Sequence, residues 1–290
     1  ERRTLVVIFL RGAADGLALV PPVTDDHYYR ARPRLGILAK DAVKLDERFG
    51  LHPKLRPLES AWREGELAIV HACGTEDQTR SHFEAQDLME HGGVAAGGWL
   101  GRYLRTRPPA DAGALACVAV GKALPECLLG APTVTLMQSL EDFAIAGRTP
   151  ALGTQLEKLY AMQRGQLGAA ARDTFAALMR IEAMRMTKYR PENGATYGRD
   201  EFSNGLSQLA RLVKADVGLE AASIDLAGWD SHFTQQGQVE GLAGKLADGL
   251  AAFRRRLAGQ GPDQAGGGGP GGGHRLLHPV IRRKLPDRLL

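Results

Sequence analysis

A continuous run of branched apolar residues near the start of the chain restricts the possible folds most strongly. Residues 4–10 are Thr-Leu-Val-Val-Ile-Phe-Leu, and a glycine-bounded loop that contains Asp15 follows them. Such a run, without polar alternation, is typical of a strand that is fully buried in a parallel sheet. Ligands of open α/β sheets bind beyond the carboxyl ends of the strands, so Asp15 lies where chemistry is often found. The Asp-Gly pair can equally serve only as a turn.

Strands and helices alternate along the rest of the chain. Apolar runs predict further strands over 66–73, 115–120 and 133–137, and another that begins at Ala222. Apolar residues recur at helical spacing between and after these runs. The alternation predicts an α/β fold with a mainly parallel sheet covered by helices on both faces. An Ala- and Met-rich stretch over 166–187 predicts a longer helix that belongs to the core.

The domain organisation follows from where this alternation stops. Residues 1–259 are interpreted as a single α/β domain, with a helical insertion over 151–217. The glycine-rich stretch 266–273 cannot pack a core and is typical of a flexible linker. Residues 260–290 are therefore expected to be a disordered tail. Because a further buried strand is expected there, we interpret the domain as truncated on its C-terminal side, by truncation or by a change of reading frame.

Charge and cysteine content exclude several classes of function. Five of the 37 basic residues and one of the 33 acidic residues lie in 274–290, so the remaining chain carries 32 of each sign. The basic tail has no aromatic residues for base stacking, which argues against a nucleic-acid-binding protein. No apolar run is long enough to span a bilayer. Cys73, Cys117 and Cys127 form no Cys-x-x-Cys pair; we expect buried free thiols, although Cys117 and Cys127 could form a disulfide in an exported protein.

The loop after the strand at 222 carries the clearest candidate site. Asp225, Asp230 and His232 lie within eight residues of one another. A carboxylate and an imidazole two residues apart, just past a strand end, can bind one metal ion. An isolated Asp-x-His is more often only a turn cap beside a solvated histidine.

A second cluster lies far upstream, after the predicted strand 66–73. Ser81 and Glu84 form a capping-box pattern, which predicts that Ser81 is the N-cap of a helix. Capping alone explains this serine. A hydroxyl at a helix N-terminus is also well placed to meet an anionic ester, beside backbone N–H groups that lack helical partners. Arg80 and His82 flank Ser81 and are candidates to clamp an anion or to protonate a leaving group.

With both clusters in view, the chain resembles the bacterial family described as domain of unknown function 1501. The resemblance covers roughly residues 4–258. This family is similar to the alkaline phosphatase and sulfatase superfamily, which implies a metal-assisted hydrolase that is exported by the twin-arginine route to the periplasm. Six motifs carry the resemblance in order, at residues 9–16, 49–53, 67–71, 80–86, 98–103 and 228–232.

The resemblance implies roles for individual residues. Asp15 resembles a metal-binding aspartate, and Asp230 with His232, together with Asp225, resembles the metal-binding Asp…His pair. Ser81 occupies the position of the nucleophile. The implied cofactor is a divalent metal, zinc or manganese rather than calcium because the ligands mix N and O. The implied substrate is a small anionic phosphate or sulfate ester.

The chain departs from the family after Gln260. The family continues with a Glu-Phe-Gly-Arg segment and a Gly-Thr-Asp-His-Gly motif that would complete the metal site. His274 and His278 do not reproduce that motif, since neither follows an aspartate. The sequence therefore leaves two interpretations open. One is a metal-dependent ester hydrolase, active or inactivated by the missing ligands. The other is a non-catalytic exported protein that binds a partner or an anionic glycan.

Overall fold

In the computed structural model, a four-stranded parallel sheet organises the chain. In order across the sheet, its strands are β1 (Leu5–Arg11), β6 (Ala221–Ala227), β4 (Cys117–Val120) and β5 (Thr135–Met137). The structure describes residues 3–74, 77–93, 95–106, 113–141, 150–163, 165–186, 193–232 and 234–258. A separate antiparallel pair is formed by β2 (Val43–Lys44) and β3 (Gly50–Leu51).

Helices connect and cover these strands. Short 3-10 turns occupy Pro53–Leu58, Gly113–Leu115 and Glu126–Leu128. The disordered tail that was predicted over 260–290 lies outside the described part of the chain. The helices are α1 (Gly16–Leu19), α2 (Asp26–Ala31), α3 (Glu59–Arg63), α4 (His82–His91), α5 (Trp99–Arg105), α6 (Pro150–Ala161), α7 (Gln166–Met186), α8 (Glu201–Lys214) and α9 (Gln235–Leu257).

Both faces of the sheet are covered, as the apolar runs predict. Ala222, Ile224 and Leu226 of β6 belong to the larger core cluster, with residues of α7, α8 and α9. Ala221, together with residues of β4, packs in a second cluster with Leu100 of α5. Alternate side chains of one strand therefore enter two different cores, which is why most positions of these strands are apolar. The α/β fold with a mainly parallel sheet is confirmed.

The apolar faces of the helices differ in how far they are buried. The apolar stripe of α9 is buried from Val239 to Leu257, as predicted. Helix α7 is mostly exposed, although Ala177, Leu178 and Ile181 are buried. Met179 is 55% exposed, so the prediction of a core helix over 166–187 holds for one face only.

The prediction of a strand over 66–73 is wrong. The N–H groups of Glu66 and Leu67 both bond to the carbonyl of Ala61, which folds the start of the segment back onto α3. Leu67 and Ile69 pack against the core, but no ladder joins the segment to the sheet within the described residues. Local β propensity is therefore insufficient here, because a strand also needs a hydrogen-bonded neighbour.

Strand β1 is consequently less buried than predicted. Among the described residues its only ladder partner is β6, so it lies at the edge of the sheet. All seven of its residues are partly exposed, which corrects the expectation of a fully buried strand. No helix in the described part of the chain has the length and apolar character needed to cross a bilayer.

Candidate functional site

The loops that follow β1 and β6 lie side by side at one edge of the sheet. The two strands pair in parallel, with Phe9 opposite Asp225, so their carboxyl ends coincide. The Trp229 N–H bonds to the Arg11 carbonyl at 3.1 Å and joins the two loops. The backbones approach closely at Gly12, where a Cβ would lie 2.5 Å from the Asp230 nitrogen. The Asp230 loop therefore rests directly on the loop that follows β1.

Helix α4 brings the upstream cluster to the same edge. Gln86 is buried, and its Oε1 accepts the Gly12 N–H at 3.0 Å. The Nε2 of the same side chain donates to the His82 carbonyl at 2.9 Å. The first turn of α4 is thus tied to the loop that follows β1.

His82, Asp230 and His232 converge at this edge. The Nε2 atoms of the two histidines lie 3.6 Å and 2.9 Å from the same oxygen, Oδ1 of Asp230. The two imidazole rings are 5.3 Å apart between centroids. Within the described residues this is the one group of three or more potential ligands whose donor atoms all lie within 4.8 Å of one another. The three donor atoms are close enough together to bind a single cation.

The group is open to solvent. Side-chain exposure is 29% for His82, 47% for Asp230 and 64% for His232. Its loop is nevertheless held in place, since Gln238 of α9 donates to the carbonyls of Gly228 and Asp230. The site therefore combines an accessible donor set with a tethered backbone.

Asp15 lies in the loop that follows β1, where its carboxylate already has several donors. Its carboxylate accepts from the Arg32 guanidinium, from Gln235 Nε2 at 2.8 Å and from the Leu17 N–H at 3.0 Å. Both oxygens are engaged, and the side chain is only 17% exposed. The structure thus places Asp15 as the N-cap of α1 and as a link between α2 and the start of α9. Its predicted role as a metal ligand stays a prediction.

Asp225 also has a different set of contacts from Asp230. The Arg11 guanidinium bonds to both Asp225 oxygens and, through Nη1, to Glu90 at 3.0 Å. Glu90 is 1% exposed in its side chain and also accepts the Cys127 N–H at 3.2 Å. Burial alone lowers the pKa of the Arg11 guanidinium, but the hydrogen bonds and charges of Asp225 and Glu90 outweigh it and raise that pKa. The proposed ligand role of Asp225 likewise stays a prediction.

Ser81 caps α4, as predicted, but the capping box is incomplete. Its Oγ accepts the Glu84 N–H at 3.4 Å, near the long limit for a hydrogen bond. The Glu84 carboxylate accepts a hydrogen bond from the Thr79 hydroxyl and not from the Ser81 N–H. The Ser81 N–H donates to the Thr79 hydroxyl oxygen instead. Arg80 is exposed beside them. The serine hydroxyl is therefore only loosely engaged, next to His82.

The cysteines differ in their environments. Cys117 and Cys127 are buried free thiols, as expected, whereas Cys73 is partly exposed, which corrects the expectation of three buried thiols. Burial raises the pKa of the Cys127 thiol to about 12, although a hydrogen bond with Ser223 opposes this shift.

Sequence analysis missed two features of the site. It assigned His82 to acid catalysis or anion binding, whereas the structure places its Nε2 beside Asp230. It also overlooked Gln86 and Glu90, which are the buried residues of α4. The available signal was the spacing of 82, 86 and 90, because residues four apart share one face of a helix. Polar residues on the buried face of a helix indicate specific hydrogen bonds.

Comparison with protein-family models, with curated proteins and with solved structures gave no match.

Proposed function

We propose that this chain is a metal-dependent hydrolase of phosphate or sulfate esters whose divalent ion is bound by His82, Asp230 and His232. The supporting observation is that three donor atoms from two distant segments lie within 4.8 Å of one another at the carboxyl edge of a parallel sheet. That edge is where open α/β sheets bind ligands.

The donor geometry fits a small divalent ion. Tetrahedral zinc, with bonds of about 2.0–2.1 Å, places its ligand atoms about 3.3 Å apart. The two Nε2–Oδ1 separations of 3.6 Å and 2.9 Å lie on either side of that value. Two imidazoles and one carboxylate suit zinc or manganese better than calcium, which prefers oxygen ligands. Three protein ligands with an open side are also typical of catalytic zinc.

A divalent ion in this position would polarise a non-bridging oxygen of the ester and favour ionisation of a nearby hydroxyl. Ser81 supplies that hydroxyl, and its weak capping bond leaves Oγ available to attack phosphorus or sulfur in line with the leaving alcohol. The exposed guanidinium of Arg80 can pair with the anionic ester. The sequence analysis considered His82 as the residue that protonates the leaving group. In this proposal His82 binds the ion instead.

The test begins with metal content rather than with activity. The purified chain is incubated with zinc or manganese, desalted and subjected to elemental analysis, alongside an Asp230→Ala, His232→Ala double variant. About one ion per chain, lost in the variant, would support the site. A wild-type chain without bound metal would reject it.

Activity is then measured on phosphate and sulfate esters of a common chromogenic alcohol. We expect turnover that depends on added metal and falls by at least about 100-fold in Ser81→Ala, since the nucleophile is removed. Ser139→Ala is the matched control, because Ser139 is a surface serine that bonds to Glu141. Equal turnover by the Ser81→Ala and wild-type chains would contradict the role of Ser81.

A second candidate is a non-catalytic, exported protein that binds an anionic ligand on the same fold. The observation that favours it is the engagement of Asp15 by Arg32 and of Asp225 by Arg11, which leaves fewer carboxylates for metal than the family resemblance implies. Metal binding without turnover of any ester, together with binding of a sulfated glycan, would favour this candidate.

A further inference from the structure

The proposed site depends on the register of two segments that are far apart in sequence. His82 is the first residue of α4, whereas Asp230 and His232 belong to the connection between β6 and α9. The direct link between these segments is the 3.6 Å approach of His82 to Asp230 and the contact of the two imidazoles. These side chains are partly exposed, so their own contacts cannot fix the register firmly.

A buried path connects the two segments through the loop that follows β1. Gln86 bonds to the Gly12 N–H with one end of its amide and to the His82 carbonyl with the other. Gly12 in turn packs against the backbone of Trp229 and Asp230. Gly12 therefore contacts both segments: it bonds to Gln86, which holds the backbone of His82, and it packs against the backbone of Asp230.

The path leaves little room for adjustment. Gly12 has a φ of +122°, which side chains rarely allow, and a Cβ there would lie 2.5 Å from the Asp230 nitrogen and 2.9 Å from the Trp229 carbonyl carbon. These neighbours are backbone atoms, so they cannot move away by a change of rotamer. Gln86 is buried, and its amide carbonyl accepts from Gly12 while its NH₂ group donates to His82.

We infer that Gly12 and Gln86 are positioning residues, which set the separation of His82 from Asp230 and thereby the affinity for the ion. The inference rests on the proposed function, since it concerns the same donor group. Residues behind metal ligands change affinity by about 10- to 100-fold when they are replaced. Gln86 acts through the backbone of His82, and Gly12 acts through the backbone of Asp230.

The central experiment measures zinc affinity of the full chain by competition with a chromophoric chelator. Gln86→Met keeps the size of the side chain and removes both hydrogen bonds, so we expect about 10-fold weaker binding. Asp87→Asn is the matched control, because Asp87 is exposed on the same helix and its replacement should leave the affinity unchanged. Equal affinity of the Gln86→Met and wild-type chains would overturn the inference.

Gly12→Ala tests the other end of the path. We expect weaker zinc binding, because a Cβ would push the Asp230 loop away from His82. Gly93→Ala is its control, since Gly93 also has a positive φ, +107°, but a Cβ there meets nothing within 4 Å. Loss of affinity in both variants would show that backbone strain alone is responsible, and would contradict the role of the close approach.

A double-mutant cycle separates positioning from general stability. In a His82→Ala background, Gln86→Met should no longer change the residual zinc affinity, because the residue that it positions is absent. An undiminished 10-fold effect in that background would overturn the inference.

A readout in the metal-free chain distinguishes this inference from the proposed function. The rings of His82 and His232 lie 5.3 Å apart, so a nuclear Overhauser effect between them is expected in the wild type. It should persist in Asp87→Asn and disappear in Gln86→Met. If the wild type shows this effect and binds no metal, and the effect disappears in Gln86→Met, the proposed function fails and the positioning of His82 by Gln86 stands. If the effect survives in Gln86→Met, the positioning role fails whatever the metal result.

Discussion

Asp225 and Asp230 lie five residues apart at the same edge of the sheet, yet their carboxylates have opposite surroundings. Asp225 is paired with the Arg11 guanidinium, which also bonds to the buried Glu90. Asp230 faces the imidazoles of His82 and His232. Asp225 lies within β6, not in the loop where the sequence analysis expected it, and Asp230 lies three residues after the strand ends.

The difference bears on which acidic residue could bind a metal ion. A guanidinium is always charged and cannot bind a metal, so the Arg11 network has a fixed charge balance and a structural role. A neutral imidazole can bind a metal, so the second group can exchange protons for a cation. Arg11, Asp225 and Glu90 thus form one ion-paired cluster, the Arg11 network. His82, Asp230 and His232 form the other cluster, the histidine group.

The largest effect is expected from Glu90→Ala, which breaks the Arg11 network. Glu90→Ala removes a buried carboxylate and leaves the Arg11 guanidinium and the Cys127 N–H without one acceptor each. We expect the free energy of unfolding to fall by about 3 kcal/mol in chemical denaturation. The control Glu126→Ala removes an exposed partner of His91 and should cost at most about 1 kcal/mol. A similar fall in the free energy of unfolding in both variants would show that the Arg11 network stabilises the fold no more than an exposed ion pair does.

The next largest effect tests the histidine group through linkage. Zinc at 100 times its dissociation constant should stabilise the folded chain by about 2.7 kcal/mol, because only the folded state assembles the three donors. Asp230→Asn should abolish this stabilisation and leave the metal-free stability nearly unchanged, since the side chain is about half exposed. Thermal denaturation with and without zinc measures both quantities. Zinc stabilisation that persists in Asp230→Asn would place the ion elsewhere.

A smaller effect compares the two aspartates directly. Asp225→Asn should cost about 1 kcal/mol, because the Arg11–Asp225 pair is partly exposed and Glu90 still balances the guanidinium. It should leave the zinc affinity unchanged. An affinity loss as large as that of Asp230→Asn would instead support the ligand role that the sequence analysis predicted for Asp225.

The smallest expected effect is the protection of Cys127, which contacts the Arg11 network through its N–H. Burial raises the pKa of both the Cys117 and the Cys127 thiol to about 12, so neither is a thiolate at pH 8. We expect an alkylating reagent to label the native chain at Cys73 alone, as measured by mass spectrometry of peptides. Labelling of Cys127 should quicken in Glu90→Ala and stay slow in Glu126→Ala. Rapid labelling of Cys127 in the wild type would contradict the burial of the network.

Sequence patterns predicted the features that depend on local periodicity. The strands β4, β5 and β6, the buried stripe of α9 and the cap at Ser81 all follow from spacing or from nearest neighbours. The pair Asp230 and His232 was recognisable because both residues belong to one loop. The strand expected over 66–73 failed, since pairing depends on a partner that local sequence does not specify.

Other features were decided by tertiary structure alone. Arg11 and Asp225 are separated by 214 residues, and Gln86 and Gly12 by 74, so no local pattern links them. In the sequence, Asp225 and Asp230 are both candidate ligands, and no local pattern shows which partner each one meets. The sequence by itself determined a parallel α/β fold and a set of polar residues at its carboxyl edge, because burial imposes a local period. The fold alone decided which carboxylate meets a guanidinium and which meets two imidazoles, because that choice depends on distances between strands, helices and loops that are remote in the chain.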